Sequence, residues 1–577
     1  MFIHTLSFLF SITYAKFIPS RYASLLHPGQ NRYKMRQLIH MPFFSSSPPS
    51  PAPAPPTPRM RLINLGKLCV AIQAVSPQEL IERAVAALPE SRFLEFRLDL
   101  LPKPASAIPK VKEFLAAHRD ATVLATCRRK QFGGHFTGSL KAELEVLLAA
   151  AEAGCQIVDL EVESAEEAAP RQLDQLRDRL RAAGVALLIS FHDFSRTRNL
   201  DQTALRIEVF QPDFVKVVST AKSLVDNLAV LKLIQDHSRS AEVVGIAMGE
   251  EGLVSRVLGL RAGAPFTFAA FSDGPLSEKS ETNSKHATAP GQLTARTLRD
   301  LYRVEQLDQA TRIFAVAGDP IAHSLSPLMH NAAFRRENVN AILLPLLTHK
   351  VDDLITMARE LPLAGSAVTM PLKQDVLPHL ANSDPLTARI GACNTLRTGA
   401  DGKLYGFNTD VAGVVRPLER RLKLQGARIV VLGAGGAARA AVFGLVEQGA
   451  EVFIVNIVHE DAVKLAKQAK AKALKRDLFA KSAFDVLINA TPCGMEGNKQ
   501  SLPITEKELN AGLVFDMVYN PLETPLLKLS KDRGIPIITG MEMFVQQGAR
   551  QFEIWTGKPA PEAEMMRVVE LELRRRG

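Results

Sequence analysis

The sequence predicts an α/β protein: a (β/α)8 TIM barrel followed by a two-domain α/β unit with a Rossmann-type dinucleotide-binding domain. Three observations carry this. A chain of 577 residues is too long for one hydrophobic core and divides into several domains. From Lys67 to Tyr302 short apolar runs alternate with helical patterns eight times, and eight βα units in about 240 residues describe such a barrel. Further on, Gly433-Ala434-Gly435-Gly436-Ala437-Ala438 joins a strand to a helix inside a βαβ unit, where a glycine turn lets the backbone approach a pyrophosphate.

Residues 1–60 stand apart from the rest. They hold six Lys/Arg and no Asp or Glu, so most of the formal charge of +10 lies there and the remainder carries 64 basic against 60 acidic residues. That is an ordinary enzyme balance, with no basic stripe for nucleic acid. Phe2 to Ala15 is apolar but too short to span a bilayer and lacks a charged leader. Ser45 to Pro58 is a Ser/Pro/Ala tract suited to an extended polyproline spacer. The segment reads as a plastid-type transit peptide or, the reading taken here, as an extension ahead of a start at Met60. The expected location is cytoplasmic, or plastid if residues 1–60 are a transit peptide, and neither membrane nor nucleic acid is an expected partner. Cys69, Cys127, Cys155, Cys393 and Cys493 are far apart with no CxxC pair, which argues against a disulfide framework or a metal site.

The expected barrel strands are 67–73, 93–99, 122–127, 156–162, 186–190, 213–218, 242–247 and 266–271. Helices such as Leu140–Ala153 and Pro170–Ala183 lie between them, the latter opening on a proline tolerated in a first turn. In such a barrel the acting residues sit at or just past the strand C-termini. Strand two puts Glu95, Arg97 and Asp99 on one face and Leu94, Phe96 and Leu98 on the other, because side chains alternate with period two. Strand six groups Phe214, Lys216 and Val218 in the same way. A lysine on a strand covered on both faces is unusual. Burial disfavours its ammonium form and makes it a nucleophile at neutral pH, whereas on an edge strand it would reach water along its own stem. Arg128 follows strand three, His192 strand five and Arg256 strand seven, so several polar residues converge on one end of the barrel.

Glu95-Phe96-Arg97-Leu98-Asp99, His192-Asp193-Phe194, Lys216, the Met248-Gly249 to Ser255-Arg256 run and Thr288-Ala289-Pro290-Gly291-Gln292 together resemble the type I 3-dehydroquinate dehydratases. The resemblance implies that Lys216 forms a Schiff base with a ring ketone and that His192 moves the proton. It also implies that Glu95, Arg97, Arg128, Arg256, Thr288 and Gln292 bind the substrate. Two residues depart from the family pattern. Phe132 stands before Gly133-Gly134 where the family has an acid that orients the histidine, so that partner is expected to be missing and proton transfer to be differently tuned. Thr288 replaces a commoner serine. The polar stretch 272–286 reads as an insertion in a loop closing over the site.

In the second half Phe314 to Phe334 reads strand, turn, helix, with Ser324 and Ser326 two residues apart in the turn. Two hydroxyls so placed could grip a polyol, although Ser-x-Ser is also ordinary turn chemistry. Lys373 and Asp410 are a salt bridge unless a cleft makes them catalytic. The βαβ unit around the glycine turn is Arg428–Leu432, a helix from Arg439 to Gln448, and Glu451–Val455; the helix N-terminus supplies amide donors for phosphate.

Ser324, Ser326, Thr369, Lys373, Asn394, Asp410, the glycine turn, Asn489 to Met495, Asp516 to Pro521 and Gln547 with Trp555-Thr556-Gly557 are similar to shikimate dehydrogenases. That likeness implies reduction of 3-dehydroshikimate by a nicotinamide cofactor, with Lys373 and Asp410 as the proton-transfer pair. Ser324, Ser326, Thr369, Asn394, Tyr519 and Gln547 would bind substrate. Gly433, Ala434, Gly435, Gly436, Ala437, Asn456, Asn489, Thr491 and Met495 would bind cofactor. Asn456-Ile457-Val458 stands where the family has Asn-Arg-Thr, so the arginine that clamps the NADP phosphate is absent. NADP is still the expected cofactor, with NAD possible. Ala367 removes one further substrate contact.

The expected division is 1–60, the barrel 61–305, a substrate-binding α/β domain 311–411 with 540–577, and a Rossmann domain 412–539. The two likenesses imply consecutive steps on small-molecule substrates, 3-dehydroquinate to 3-dehydroshikimate to shikimate. Two alternatives stay open: a ligand sensor that kept both pockets without chemistry, and a second half preferring quinate and NAD.

Overall fold

Eight short, largely buried strands open the described chain: β1 (Leu68–Ile72), β2 (Phe93–Arg97), β3 (Thr122–Thr126), β4 (Ile157–Glu161), β5 (Ala186–His192), β6 (Phe214–Thr220), β7 (Glu242–Met248) and β8 (Thr267–Ala270). All their pairings are parallel, in the order β7-β6-β5-β4-β3-β2-β1-β8, with β1 bonded to both β2 and β8. This is the expected barrel. The computed structural model describes residues 65–238, 241–272 and 288–576; the expectations for residues 1–60 and most of the insertion at 272–286 lie outside them.

Alternation sorts the barrel's residues as the sequence reading requires. Val215 and Val217 of β6, and Leu94 and Phe96 of β2, pack outward in the layer beneath the helices. Phe93, Phe214, Phe266 and Phe268 turn inward and fill the lower interior, with Phe93 and Phe266 edge to face at 5.0 Å between ring centres. A plug of this kind leaves the polar inward residues at the strands' C-terminal ends, which is where a barrel carries its chemistry. Strand two is shorter than expected. It ends at Arg97, and Asp99 lies in the 3-10 turn Leu98–Leu100.

Two six-stranded sheets follow. The first has the order β10-β9-β11-β13-β14-β12 and uses β9 (Arg312–Gly318), β10 (Ala341–Leu347), β11 (Gly365–Val368), β12 (Asn382–Ser383), β13 (Thr395–Thr398) and β14 (Leu404–Phe407). Here β13 runs antiparallel to both of its neighbours. The second contains β15 (Arg428–Leu432), β16 (Glu451–Val455), β17 (Lys472–Ala473), β18 (Phe484–Asn489), β19 (Ala511–Asp516) and β20 (Ile537–Ile538), all parallel. Its order, β17-β16-β15-β18-β19-β20, reverses between β15 and β18, the place where doubly wound sheets bind dinucleotides. The helix after the glycine turn starts at Gly436, three residues before the expected Arg439, because the turn itself supplies its first residues.

After β20 the chain returns to the first of these sheets. Helix Gly540–Thr556 carries Val545, Phe552 and Trp555 into a core shared with Phe314 and Met329, and the Trp555 indole N–H donates to the Leu396 carbonyl at 2.9 Å. Gly365 makes room for this: a Cβ there would stand 2.6 Å from the Trp555 ring nitrogen. All five cysteines are buried free thiols. Among the described residues no helix is long and apolar enough to cross a membrane, and no group of three or more His, Cys, Asp or Glu could hold a metal ion.

Candidate active sites

The barrel mouth holds a cavity of about 260 Å³ lined by Glu95, Arg97, Arg128, His192, Lys216, Arg256, Thr288 and Gln292. Every barrel residue singled out from the sequence as catalytic or substrate-binding therefore faces one space. Lys216 is 4% exposed, so the edge-strand alternative is excluded. Its ammonium lies 3.2 Å from Asp159 and 3.9 Å from Glu95, and 4.0 Å from the centre of the Phe268 ring, close enough for cation–π attraction.

The histidine has a partner, contrary to the expectation drawn from Phe132. Glu161, at the end of β4, lies 3.1 Å from His192 Nδ1. Phe132 instead packs against the Arg129 guanidinium, 4.9 Å from its ring centre. Glu161 also accepts from Ser190 Oγ at 3.0 Å and is ion-paired with Arg128. Burial first, then Arg128 and Lys216, push His192 well below the ordinary histidine value of 6.5, so the ring is a neutral base at neutral pH. Burial also raises Glu161, against the pull of Arg128. Asp159 goes the other way: burial opposes its charge, but Lys216 and Arg128 outweigh burial and hold it low.

The sequence reading missed Asp159 and Glu161. The signal was available, since Ile157-Val158-Asp159-Leu160-Glu161 places two carboxylates on one strand face by the same alternation that grouped Glu95 with Arg97.

The three arginines of the cavity differ in what they have left to offer. Arg97 is held by Asp99 through two bonds of 3.0 and 2.9 Å, and Arg128 by Asp159 and Glu161. Asp99 thus serves as a brace for Arg97 and not as part of the mouth. Arg256, on the helix Leu253–Ala262, is 1% exposed and donates to the Pro290 carbonyl at 3.0 Å. Its buried Nε has no hydrogen-bond partner among the described residues. Burial pushes its guanidinium down to about 10, a cost that an incoming carboxylate would relieve. Gln292 accepts from Thr288 N at 2.8 Å and from its Oγ1 at 3.0 Å, which ties this loop together.

The second site is built on the first six-stranded sheet. Lys373 Nζ stands 2.7 Å from Asp410 Oδ2, and Asn394 donates to Asp410 Oδ1 at 2.8 Å, so both carboxylate oxygens are held. Asn394 is 3% exposed and its own oxygen accepts from Thr409 N at 2.8 Å. Asp410 opens the helix Asp410–Glu419. Three residues on, Gly413 lets the helix Gly540–Thr556 come close: a Cβ there would meet the Met543 carbonyl at 2.9 Å and the Gln547 Cβ at 3.1 Å. Gln547, held to the Phe544 carbonyl at 2.8 Å, thus sits one turn from Asp410, and Tyr519 stacks on Phe544 at 5.2 Å.

Ser324 Oγ accepts from Ser326 N at 3.3 Å, and among the described residues no hydrogen bond joins either serine to Lys373, Asp410 or Asn394. Thr369 packs against Gly318 at the end of β9, where a Cβ would come within 2.4 Å of its methyl. Gln551, which the sequence reading did not single out, donates to Thr395 Oγ1 at 3.1 Å and faces the buried His330 at 3.1 Å.

At the switch point Gly433 has φ +110, and a Cβ would meet the Ala490 carbonyl at 3.1 Å, while Cβ atoms on Gly435 and Gly436 would meet nothing within 4 Å. Open backbone at the N-terminus of the helix Gly436–Glu447, beside Ala434 and Ala437, is a cradle into which a pyrophosphate fits. Asn489 is fully buried, donates to Asp516 at 2.9 Å and accepts from Thr491 Oγ1 at 2.6 Å, so its side chain braces the turn from behind. Met495 is half exposed. After β16, Asn456 donates to the Val458 carbonyl at 3.1 Å and Ile457 is 89% exposed, leaving no cation in that tripeptide for a ribose phosphate.

Comparison with known proteins agrees with both halves. The family model for type I 3-dehydroquinase matches residues 68–309. The models for the shikimate dehydrogenase substrate binding domain and the shikimate 5'-dehydrogenase C-terminal domain match residues 316–396 and 540–570. A bifunctional 3-dehydroquinate dehydratase/shikimate dehydrogenase of Arabidopsis thaliana, described as chloroplastic, is 33% identical over 86% of this chain and 83% of its own length. A shikimate dehydrogenase (NADP(+)) of Methanosarcina acetivorans is 41% identical over 45% of this chain and 98% of its own. The pentafunctional AROM polypeptide of Yarrowia lipolytica is 32% identical over 81% of this chain, which spans 30% of that longer protein.

Proposed function

Because the chain belongs to the bifunctional 3-dehydroquinate dehydratase/shikimate dehydrogenase family, we propose that it dehydrates 3-dehydroquinate to 3-dehydroshikimate and reduces the product to shikimate with NADPH. The observation that carries the reading is the barrel cavity, in which a buried lysine, a neutral histidine and an arginine with no carboxylate partner among the described residues share one space. We assign the dehydratase to 61–305, the shikimate-binding domain to 311–411 with 540–577, and the cofactor domain to 412–539.

In the first reaction Lys216 adds to the ring ketone and water leaves, giving an iminium that acidifies the adjacent C–H. His192 takes that proton and returns it to the departing hydroxyl, which leaves as water. Hydrolysis of the iminium restores Lys216, so the net change is loss of one water. Arg256 pairs with the substrate carboxylate. Glu95, Arg97, Arg128, Thr288 and Gln292 meet the hydroxyls. Glu161 is a positioning residue: it receives the Nδ1–H of His192 and leaves Nε2 as the base.

In the second reaction the cofactor, when bound, supplies hydride to the ketone carbon of 3-dehydroshikimate. Gly433 to Ala437 would hold its pyrophosphate, with Asn456, Thr491 and Met495 nearby. Lys373 gives the proton at the ketone oxygen, Asp410 and Asn394 fix its position, and Ser324, Ser326, Thr369, Tyr519 and Gln547 hold the substrate's other polar groups. Because Ile457 stands where a cation would pair with the ribose phosphate, discrimination between NADP and NAD at this position is weak and NAD stays possible. The location fits the cytoplasm, or a plastid if residues 1–60 act as a transit peptide.

Borohydride reduction in the presence of 3-dehydroquinate tests the first step. A mass increase confined to the peptide bearing Lys216 is expected. A sensor that binds without chemistry would give no adduct, and that outcome would overturn the dehydratase reading.

A further inference from the structure

A second cavity, of about 280 Å³, lies between the barrel and the first six-stranded sheet and is lined from both sides. Its size is at the lower end of small-molecule pockets. The barrel side offers Leu253, Leu293 and Leu301, and the other side Ile321, Leu325 and Leu328, so its body is apolar. Arg296, Arg335 and Arg576 line it, as do Glu250, Asp300 and Glu572.

These charges are unequally engaged. Arg576 is bound to Glu572 at 2.9 Å and to the His323 carbonyl at 3.1 Å. Arg296 reaches Glu90 at 3.9 Å, the outer limit of an ion pair. Arg335, half-buried, donates to the Asp300 carbonyl at 2.7 Å and has no carboxylate within ion-pairing distance among the described residues. Burial, with the Arg303 guanidinium second, holds it below the ordinary arginine value. A half-buried cation in an apolar space gains from an anion brought to it, because low polarity strengthens the pairing and the arginine fork fits a carboxylate.

We propose that this cavity is a binding site for a small organic anion with an apolar, ring-sized body, its acidic group paired with Arg335. It adjoins the dehydratase cavity. Gly291 lines it, while the neighbouring Gln292 and Ala289 line the dehydratase cavity. Gly291, at φ +68, is packed so tightly on Gly249 that a Cβ would come within 2.2 Å of its carbonyl, so this wall has little slack. On the other side Ser324 lines the same space. A ligand there would touch the backs of two loops that carry proposed substrate contacts.

The test is a fluorescence titration of the full chain with 8-anilinonaphthalene-1-sulfonate, an apolar ring system bearing one anionic group. One saturable site per chain is expected, displaced by salicylate as a small aromatic carboxylate. Arg335→Leu should weaken the dye at least tenfold, and Leu301→Trp, which fills the cavity, should abolish the signal. Arg574→Leu, on the exposed face of the last helix, should leave it unchanged. Circular dichroism and thermal melting establish that each variant folds. Dye binding that is insensitive to both cavity variants would overturn the site. Dye lost in both variants but not displaced by salicylate would overturn the carboxylate assignment. The readout is binding, so the result stands or falls separately from either catalytic activity.

Discussion

Glu161→Gln keeps the size of the side chain and removes the charge facing His192. If Glu161 orients the base, kcat for dehydration is expected to fall ~10- to 100-fold with KM little changed, because the interaction matters to the transition state and not to binding. Glu161→Asp should recover part of the loss, which a merely structural role would not produce. The pH profile is a second reading of the same residues. His192 is held below 6.5, so the imidazole stays neutral as pH falls and the acid limb of kcat/KM assigned to it is expected below pH 6.5. An acid limb at or above that value would contradict the burial argument. At the cofactor site, Ile457→Arg would supply a guanidinium after β16. The ratio of kcat/KM for NADPH over NADH is expected to rise about tenfold or more, the worth of one charge-assisted hydrogen bond; an unchanged ratio would mean the phosphate lies elsewhere.

At the scale of elements, the contact between the helices Asp410–Glu419 and Gly540–Thr556 sets where Gln547 stands. Gly413→Ala places a methyl 2.9 Å from the Met543 carbonyl, and backbone cannot yield as a side chain can. The helices should separate by tenths of an ångström, raising KM for 3-dehydroshikimate several-fold while dehydration is untouched. Equal loss of both activities would point to general unfolding instead. The same scale explains what was legible in the sequence. Strand and helix periodicity revealed the eight barrel strands, Lys216 facing inward and the glycine turn, because each is a local pattern. That Glu161 faces the barrel interior was legible from the alternation in β4, but its pairing with His192 was not, since it depends on the register of neighbouring strands, a long-range property. Asp99 failed for a different reason: the alternation runs on two residues past the end of β2, and nothing local marks where the chain leaves the sheet. The likeness groups Asn489 with the cofactor residues, while its complete burial depends on Asp516, which lies far along the chain.

For the whole molecule, the two proposed reactions use separate residue sets on separate sheets. Lys216→Ala is therefore expected to abolish dehydration and spare reduction of 3-dehydroshikimate, and Lys373→Ala to do the reverse. Fusing the sites raises the local concentration of the shared intermediate without requiring a passage between them. The central claim is that both sites work in one chain, and the direct measurement is to supply 3-dehydroquinate with NADPH and follow cofactor absorbance. Steady oxidation of NADPH is expected, and it should disappear in Lys216→Ala but return on adding 3-dehydroshikimate. If 3-dehydroshikimate supports oxidation in the unmodified protein and 3-dehydroquinate does not, the barrel is not a dehydratase.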